Sequence, residues 1–188
     1  YSVPAIGTQL GLVSKAPVNH SIGWKRLYPI SDGVEFVEIN LATSESLKDI
    51  SQTLKDTLFD NGFTTPRRYV GDSQAYFNGT PTAVALTDDF SYQNLGRTMD
   101  KAERGVRLFI EPEINSSIVI NSDGTISAQS AAFFKDLAEQ PLEAMEAAEE
   151  ISSFTVTIPD TQKPLEADEL IINFDIVPTG TARTITIN

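Results

Sequence analysis

Residues 127–158 read SAQSAAFFKDLAEQPLEAMEAAEEISSFTVTI, and a change of period inside this stretch decides the fold class. Its first part is helical. Ala131, Phe134, Leu137, Leu142, Met145 and Ala148 supply an apolar face at helical spacing. Pro141 interrupts that pattern: it either kinks one helix or opens a second at its first turn, where proline is tolerated. After Ile151 the period falls to two. Phe154, Val156 and Ile158 alternate with Thr155 and Thr157, the pattern of a half-buried strand. An amphipathic helix running into an alternating strand predicts a chain of mixed class.

The downstream sequence extends the β part. Leu170, Ile172, Phe174 and Ile176 alternate with Ile171, Asn173 and Asp175, and Ile185 and Ile187 alternate with Thr184 and Thr186. Residues 159–168 form a polar connection, and Pro178-Thr179-Gly180 reads as a turn. Upstream, a helix is expected from Ser91 or Asn94 to Ile110, with the seam Leu95, Met99, Ala102, Val106 and Phe109, closed by Pro112. Arg97, Lys101, Arg104 and Arg107 lie off that seam and give the helix a basic side. Ile118, Val119 and Ile120 read as β-branched strand before the turn Asn121-Ser122-Asp123-Gly124.

Further upstream, Leu47, Ile50, Leu54 and Leu58 share a helix face, with Thr43 or Ser44 as cap and Asn61-Gly62 as stop. Residues 67–70 and 74–77 read as short strands about a Gly71-Asp72 turn, and residues 24–30, 34–39 and 84–86 as further strands. Residues 4–13 read as a buried helix, although two glycines weaken it. The expected class is α+β, or mixed α/β: helices packed on a mixed β-sheet, with a C-terminal β-strand region.

Composition bounds the function. The 188 residues are 40% apolar and 21% charged, which is globular composition and excludes wholesale disorder. No cysteine is present, so disulfides, thiol nucleophiles and thiolate metal sites are excluded, and no cofactor is expected. No apolar run approaches the length of a membrane-spanning helix. Charge is uneven: residues 1–110 carry 11 Lys/Arg against 12 Asp/Glu, and residues 111–188 carry 3 against 14. The second part would repel phosphate backbones and anionic lipid, so neither nucleic acid nor membrane is expected as a partner. The first residue is Tyr1 without a leader, which reads as a processed or shortened product.

The search for chemistry returns little. There is no phosphate cradle, no G-x-S-x-G and no H-E-x-x-H. His20, the single histidine, lies in a proline-flanked loop and reads as a surface or interface residue. Asp88-Asp89 reads as a cap, since adjacent strand carboxylates would point to opposite faces. Asn121-x-Asp123-Gly124 lacks the other ligands of a calcium loop and reads as a turn. Sequons at Asn19, Asn78 and Asn115 carry weight only in a secreted glycoprotein. A secreted hydrolase or carbohydrate-binding module using Asp88, Asp89, Trp24, Tyr69 or Tyr76 stands as the alternative reading.

Two features allow assembly. The basic side of Arg97, Lys101, Arg104 and Arg107 and the acidic run Glu139, Glu143, Glu146, Glu149 and Glu150 can pair within one molecule or between copies, or stand as solvated faces. The final β-rich segment can join its own sheet or another molecule's open edge.

Several short motifs, in order, carry a resemblance. Phe90-Ser91-Tyr92 is followed by Arg97-Thr98-Met99-Asp100-Lys101-Ala102 with Arg104 and Arg107. Then come Pro112-Glu113-Ile114-Asn115, Asp123-Gly124-Thr125-Ile126, Glu150-Ile151-Ser152 before Phe154-Thr155-Val156, and Ile176-Val177-Pro178-Thr179-Gly180-Thr181-Ala182-Arg183-Thr184-Ile185. In this order they resemble the C-terminal portion of contractile phage tail sheath proteins, over residues 88–188. Residues 1–87 would then be the N-terminal part of the fragment, the two parts forming one compact unit.

The resemblance implies a non-enzymatic structural subunit. It would polymerise around an inner tail-tube protein and contract to drive envelope penetration. Its partners would be copies of itself and the tube, with no nucleic acid and no membrane insertion. It would reside in a virion tail or phage-like particle assembled in the bacterial cytoplasm. Strand exchange through terminal arms is implied, with Arg183, Ile185 and Ile187 in the C-terminal arm. Arg97, Lys101, Arg104, Arg107, Glu143 and Glu146 are the expected charged contacts between subunits.

Overall fold

A computed structural model describes residues 5–30, 40, 41, 43–46, 49–72, 74–183, 185 and 186. In it the chain divides into two units, Tyr1–Arg97 and Thr98–Asn188, with the division inside one helix. The class is mixed α+β, as the two periods require. The β part takes the form of two separate two-stranded antiparallel sheets among the described residues, where one mixed sheet was expected.

In the first unit, α1 (Ile6–Lys15) forms as expected but buries none of its residues. Leu12 and Val13 pack against a core of Ala16, Ile22, Tyr28 and Phe77, while Ile6 and Leu10 face outward. Residues 24–30, expected as a strand, are turns. Leu27 and Tyr28 both donate their N–H to the Trp24 carbonyl, which closes the turns, while Ile30 N donates to the Ala75 carbonyl of the later segment at 2.8 Å without forming a ladder. Helix α2 (Gln52–Asp60) begins later than expected, because Ser51 Oγ accepts from Leu54 N at 3.2 Å and caps it there. Ile50 lies before that cap, and Leu47 and residues 34–39 lie outside the described residues. Asn61-Gly62 ends α2 as expected. Gly62 takes φ +82°, and a Cβ there would meet the Thr82 carbonyl oxygen at 2.6 Å, so only glycine fits.

Strands β1 (Pro66–Arg68) and β2 (Ala75–Phe77) pair antiparallel, Arg67 opposite Tyr76. The hairpin is tied by Asp72, which accepts from Lys25 Nζ at 2.9 Å, Gln74 N at 3.0 Å and Tyr76 OH at 2.9 Å. These bonds, that of Lys25 first, lower the Asp72 carboxyl from 3.8 to about 2. Such a group stabilises the fold fully above its unfolded value and loses that contribution as pH falls through its folded value. The urea midpoint is therefore expected to decline between about pH 4 and pH 2, and to decline less in Asp72→Asn. Equal declines in the two proteins would remove Asp72 from acid sensitivity. Residues 84–86, expected as a strand, are exposed and irregular, and Asp88 Oδ1 accepts from Phe90 N at 2.8 Å, which closes the following turn, residues 88–91, where a helix cap was expected.

Helix α3 (Gln93–Ile110) was expected within a residue or two of its bounds. Its buried positions are Asn94, Thr98, Ala102 and Val106, rotated from the predicted seam, and Phe109 is 38% exposed. Asn94 turns inward because its amide donates to the Asn19 carbonyl at 3.3 Å.

In the second unit, α4 (Ala128–Ala147) is one helix with Pro141 inside it. Ser127 Oγ caps it by accepting from Ser130 N at 3.2 Å. Pro141 is buried against α3 at Gly105, where an added Cβ would stand 3.1 Å from the Pro141 Cβ; glycine lets the two helices close on the proline. The helix stops where Glu150 N donates to the Met145 carbonyl and Glu149 N to that of Glu146, with Glu149 at φ +57°. That turn sends the chain directly into β3 (Ile151–Thr157), which pairs antiparallel with β4 (Asn173–Pro178). Ile118 and Val119 form no strand, and Ile120 makes a single bridge to Ile126. Between the strands lies α5 (Pro164–Ala167). Strand β4 starts later than the alternation predicts, because the Gln162 side-chain amide takes both the N–H and the C=O of Ile171. One core joins Ala102 and Val106 of α3, Ala138, Leu142 and Met145 of α4, and Ile151 and Val156 of β3, with Phe174 and Ile176 of β4 packed against it.

Candidate assembly surface

The sheet β3–β4 has two strands, and a pair this small needs a packed face to be stable. It gets one: Phe174 and Ile176 turn toward the helices, and Ile151 and Val156 are buried beneath them. Thr157 stands opposite Asn173 and Ile151 opposite Pro178, with the register shifted between Ile151 and Ser153. No third strand flanks either one among the described residues, so each presents an outer row of N–H and C=O groups. An open edge backed by a formed core is a template for a strand from another chain.

Past β4 the chain is exposed and has no regular structure over residues 181–183, 185 and 186. Arg183 lies in this exposed segment, Ile185 is 77% exposed, and Ile187 lies outside the described residues. An isoleucine so exposed has little to lose and much apolar area to gain on entering a sheet.

The expected charged residues separate into two groups. Arg97 donates to the carbonyls of Ala16 at 3.0 Å and Pro17 at 3.4 Å, where its charge also meets the C-terminal end of α1. Lys101 grips both carboxylate oxygens of Glu150 at 2.5–2.6 Å. Both cations are thus used inside the chain. Arg104 and Arg107 on α3, and Glu143 and Glu146 on α4, are exposed and form no ion pair among the described residues. Asp100 and Glu103 stand four residues before Arg104 and Arg107, so that outer face alternates in sign rather than being basic throughout.

The residues set aside for catalysis do not converge. His20 Nδ1 lies 2.7 Å from the Tyr28 hydroxyl, with the Trp24 ring 5.0 Å away edge-on. Asp123 accepts from Thr125 N and Oγ1, which closes a plain turn. A shallow depression of about 360 Å³ is lined by Gln9, Thr64, Thr80, Thr82 and Gln93 with Gly62, Phe63 and Pro81, and so holds no acid, base or cation. Among the described residues no three His, Asp or Glu side chains come together as metal ligands, and no helix is long and apolar enough to cross a membrane.

Sequence reasoning missed one cluster. Lys25 Nζ lies 4.8 Å from the Tyr69 ring centre and 5.5 Å from that of Tyr76, and Arg67 Cζ lies 4.3 Å from the Tyr69 ring centre. The signal was present as cations beside aromatics in Trp24-Lys25-Arg26 and Arg67-Arg68-Tyr69.

Comparison with known proteins gives three results. The family model for DUF2586, C-terminal domain, matches residues 89–188. No curated protein sequence matches the chain. Solved structures with the same fold include a chain of the anti-feeding prophage helical sheath in the contracted state, at TM-score 0.65 and 17% identity over 100% of this chain and 50% of that one. A second is the sheath complex of the PVC extracellular contractile injection system, contracted, at TM-score 0.59 and 13% identity over 77% and 41%. A third is a chain of the anti-feeding prophage baseplate, at TM-score 0.57 and 16% identity over 77% and 40%. The chain thus spans half or less of the length of these structures.

Proposed function

Since the chain belongs to the DUF2586 family, with that family's C-terminal domain in residues 89–188, we propose that it is a structural subunit of a contractile tail sheath. The observation that carries the reading is the fold it shares with sheath chains of two contractile particles. In this role copies of the chain polymerise around an inner tube and slide on contraction, and no bond of a substrate is made or broken. The particle is a phage tail or a phage-like injection device, assembled in the bacterial cytoplasm.

The open edges of β3 and β4 support the reading, as does the exposed segment after β4. A strand carried by one copy completes the small sheet of the next, through residues 183–187. The contact is head-to-tail, and repeating it builds an open helical array. Arg104, Arg107, Glu143 and Glu146 lie at contacts between copies. Each exposed pair contributes only about 0.2–1 kcal/mol, so these charges set register by repetition. The first 87 residues serve as the N-terminal part of the sheath core.

Electron microscopy of the protein as its gene encodes it, expressed with the neighbouring tail genes, is the direct test. Tubes of regular diameter are expected; particles without tubes under all conditions would sink the sheath reading. Arg104→Glu with Arg107→Glu is expected to lower tube yield at about 10 mM salt, where charges act over about 30 Å, and to matter little near 1 M. Unchanged yield at low salt assigns the two arginines to open solvent.

A further inference from the structure

We propose that the cation-and-tyrosine surface around Tyr69 docks onto the acidic outer ladder of α4 in a second copy of this chain. The contact rests on the sheath reading, which supplies an array of copies, and adds to strand addition a second pair of complementary surfaces.

The receiving surface is held in advance. The Arg67 guanidinium rests 4.3 Å from the Tyr69 ring centre, and Lys25 Nζ lies 4.8 Å from the same centre. Tyr69 and Tyr76 meet edge to face at 5.7 Å. Cation–ring contact of this kind restrains a long side chain, so less freedom is lost when a carboxylate arrives. Asp72 engages Lys25 at 2.9 Å, but Arg67 and Arg26 are exposed and hold no carboxylate among the described residues. A guanidinium with its fork open suits a carboxylate partner.

The matching surface lies on α4. Asp136, Glu139, Glu143 and Glu146 are spaced three, four and three residues apart and so run along one face. Over that distance the helix rises about 15 Å, enough for more than one cation. Lys135 reaches Glu139 at 3.6 Å, while Glu143 and Glu146 are exposed without an ion pair among the described residues. Like charges at this spacing repel, and on the helix itself Lys135 compensates only Glu139 among the described residues. The outer face of α3 is a poorer mate, because Asp100 and Glu103 offset Arg104 and Arg107. Charge distribution agrees: residues 98–188 carry 16 Asp/Glu against 6 Lys/Arg, whereas residues 1–97 carry 10 against 8. Among the described residues neither Arg67 nor Glu143 has an ionic partner, so both are open to a contact from another copy.

The test uses two half-disabled chains. One carries Glu143→Gln and Glu146→Gln and keeps its cationic surface. The other carries Arg26→Gln and Arg67→Gln and keeps its acidic ladder; Lys25 is left in place because it holds Asp72. Circular dichroism checks that both fold. Native mass spectrometry of the equimolar mixture at about 10 mM salt then counts homodimers and heterodimers. The expected result is a heterodimer in excess of its statistical share, and self-association of each variant weakened at least about tenfold relative to the unchanged chain. A heterodimer at its statistical share, or either variant associating as strongly as the unchanged chain, overturns the contact. An unchanged chain that stays monomeric in these conditions overturns it too. Tubes are scored separately. Normal tubes from a protein carrying Arg26→Gln and Arg67→Gln remove this contact and leave the sheath reading. Heterodimer excess without tubes from the unchanged protein removes the sheath reading and keeps the contact.

Discussion

A protein lacking residues 181–188 is expected to fold normally and to form no tubes. The described part of the segment, residues 181–183, 185 and 186, is exposed throughout and contributes nothing to either core. Loss of such residues changes stability by no more than about 0.5 kcal/mol in the usual case. The same segment carries Ile185 and Ile187 in alternation with threonines, a pattern suited to a pleated, half-buried strand. On addition to an open edge it gains a ladder of backbone hydrogen bonds and buries its isoleucines, each worth about 1.5–3 kcal/mol when fully covered. Every subunit in an array loses that contact at once, so the effect on polymerisation is all or none. The measurement pairs circular dichroism of the shortened chain with electron microscopy of the particles. Intact tubes end the strand-addition account. A shortened chain that fails to fold shows instead that the segment belongs to its own subunit.

Leu142→Ala is expected to have the largest effect on stability. Leu142 is fully buried where α3, α4 and β3 meet, among Ala102, Val106, Ala138, Met145, Ile151 and Val156. Truncation removes three carbons from a site whose walls are three separate elements, and a cavity with rigid walls collapses poorly. Losses of about 2–5 kcal/mol follow from such changes. With a urea dependence of about 2 kcal/mol/M, the midpoint falls by about 1–2.5 M. Leu108→Ala is the control, since Leu108 on α3 is 66% exposed and its truncation should cost less than about 0.5 kcal/mol. Similar midpoints for the two variants would contradict the placement of this core. The site depends on it, because Leu142 packs under the sheet whose edge the proposed assembly uses.

The alternating period of residues 154–158 and 172–176, and the helical period of residues 95–110 and 131–148, were legible because each is set by one chain segment against one apolar face. The stop at Asn61-Gly62 was legible for the same local reason: glycine takes the left-handed turn at little cost. The order of short motifs along residues 88–188 was also legible as a resemblance to the sheath fold. What the sequence could not say was which polar groups meet. It left Pro141 as a kink or a helix start; the close approach of Gly105 on another helix accompanies one unbroken helix. It offered Arg97, Lys101, Arg104 and Arg107 as equals, whereas distant carbonyls and Glu150 take the first two. Residues 24–28 and Ile171 looked like strand, but local turns and the Gln162 amide satisfied backbone groups there first. Periodicity thus fixed the elements, since it acts along the chain. Partnership of charges and backbone groups was decided by tertiary structure, since it depends on which atoms, far apart in sequence, arrive within about 3 Å of one another.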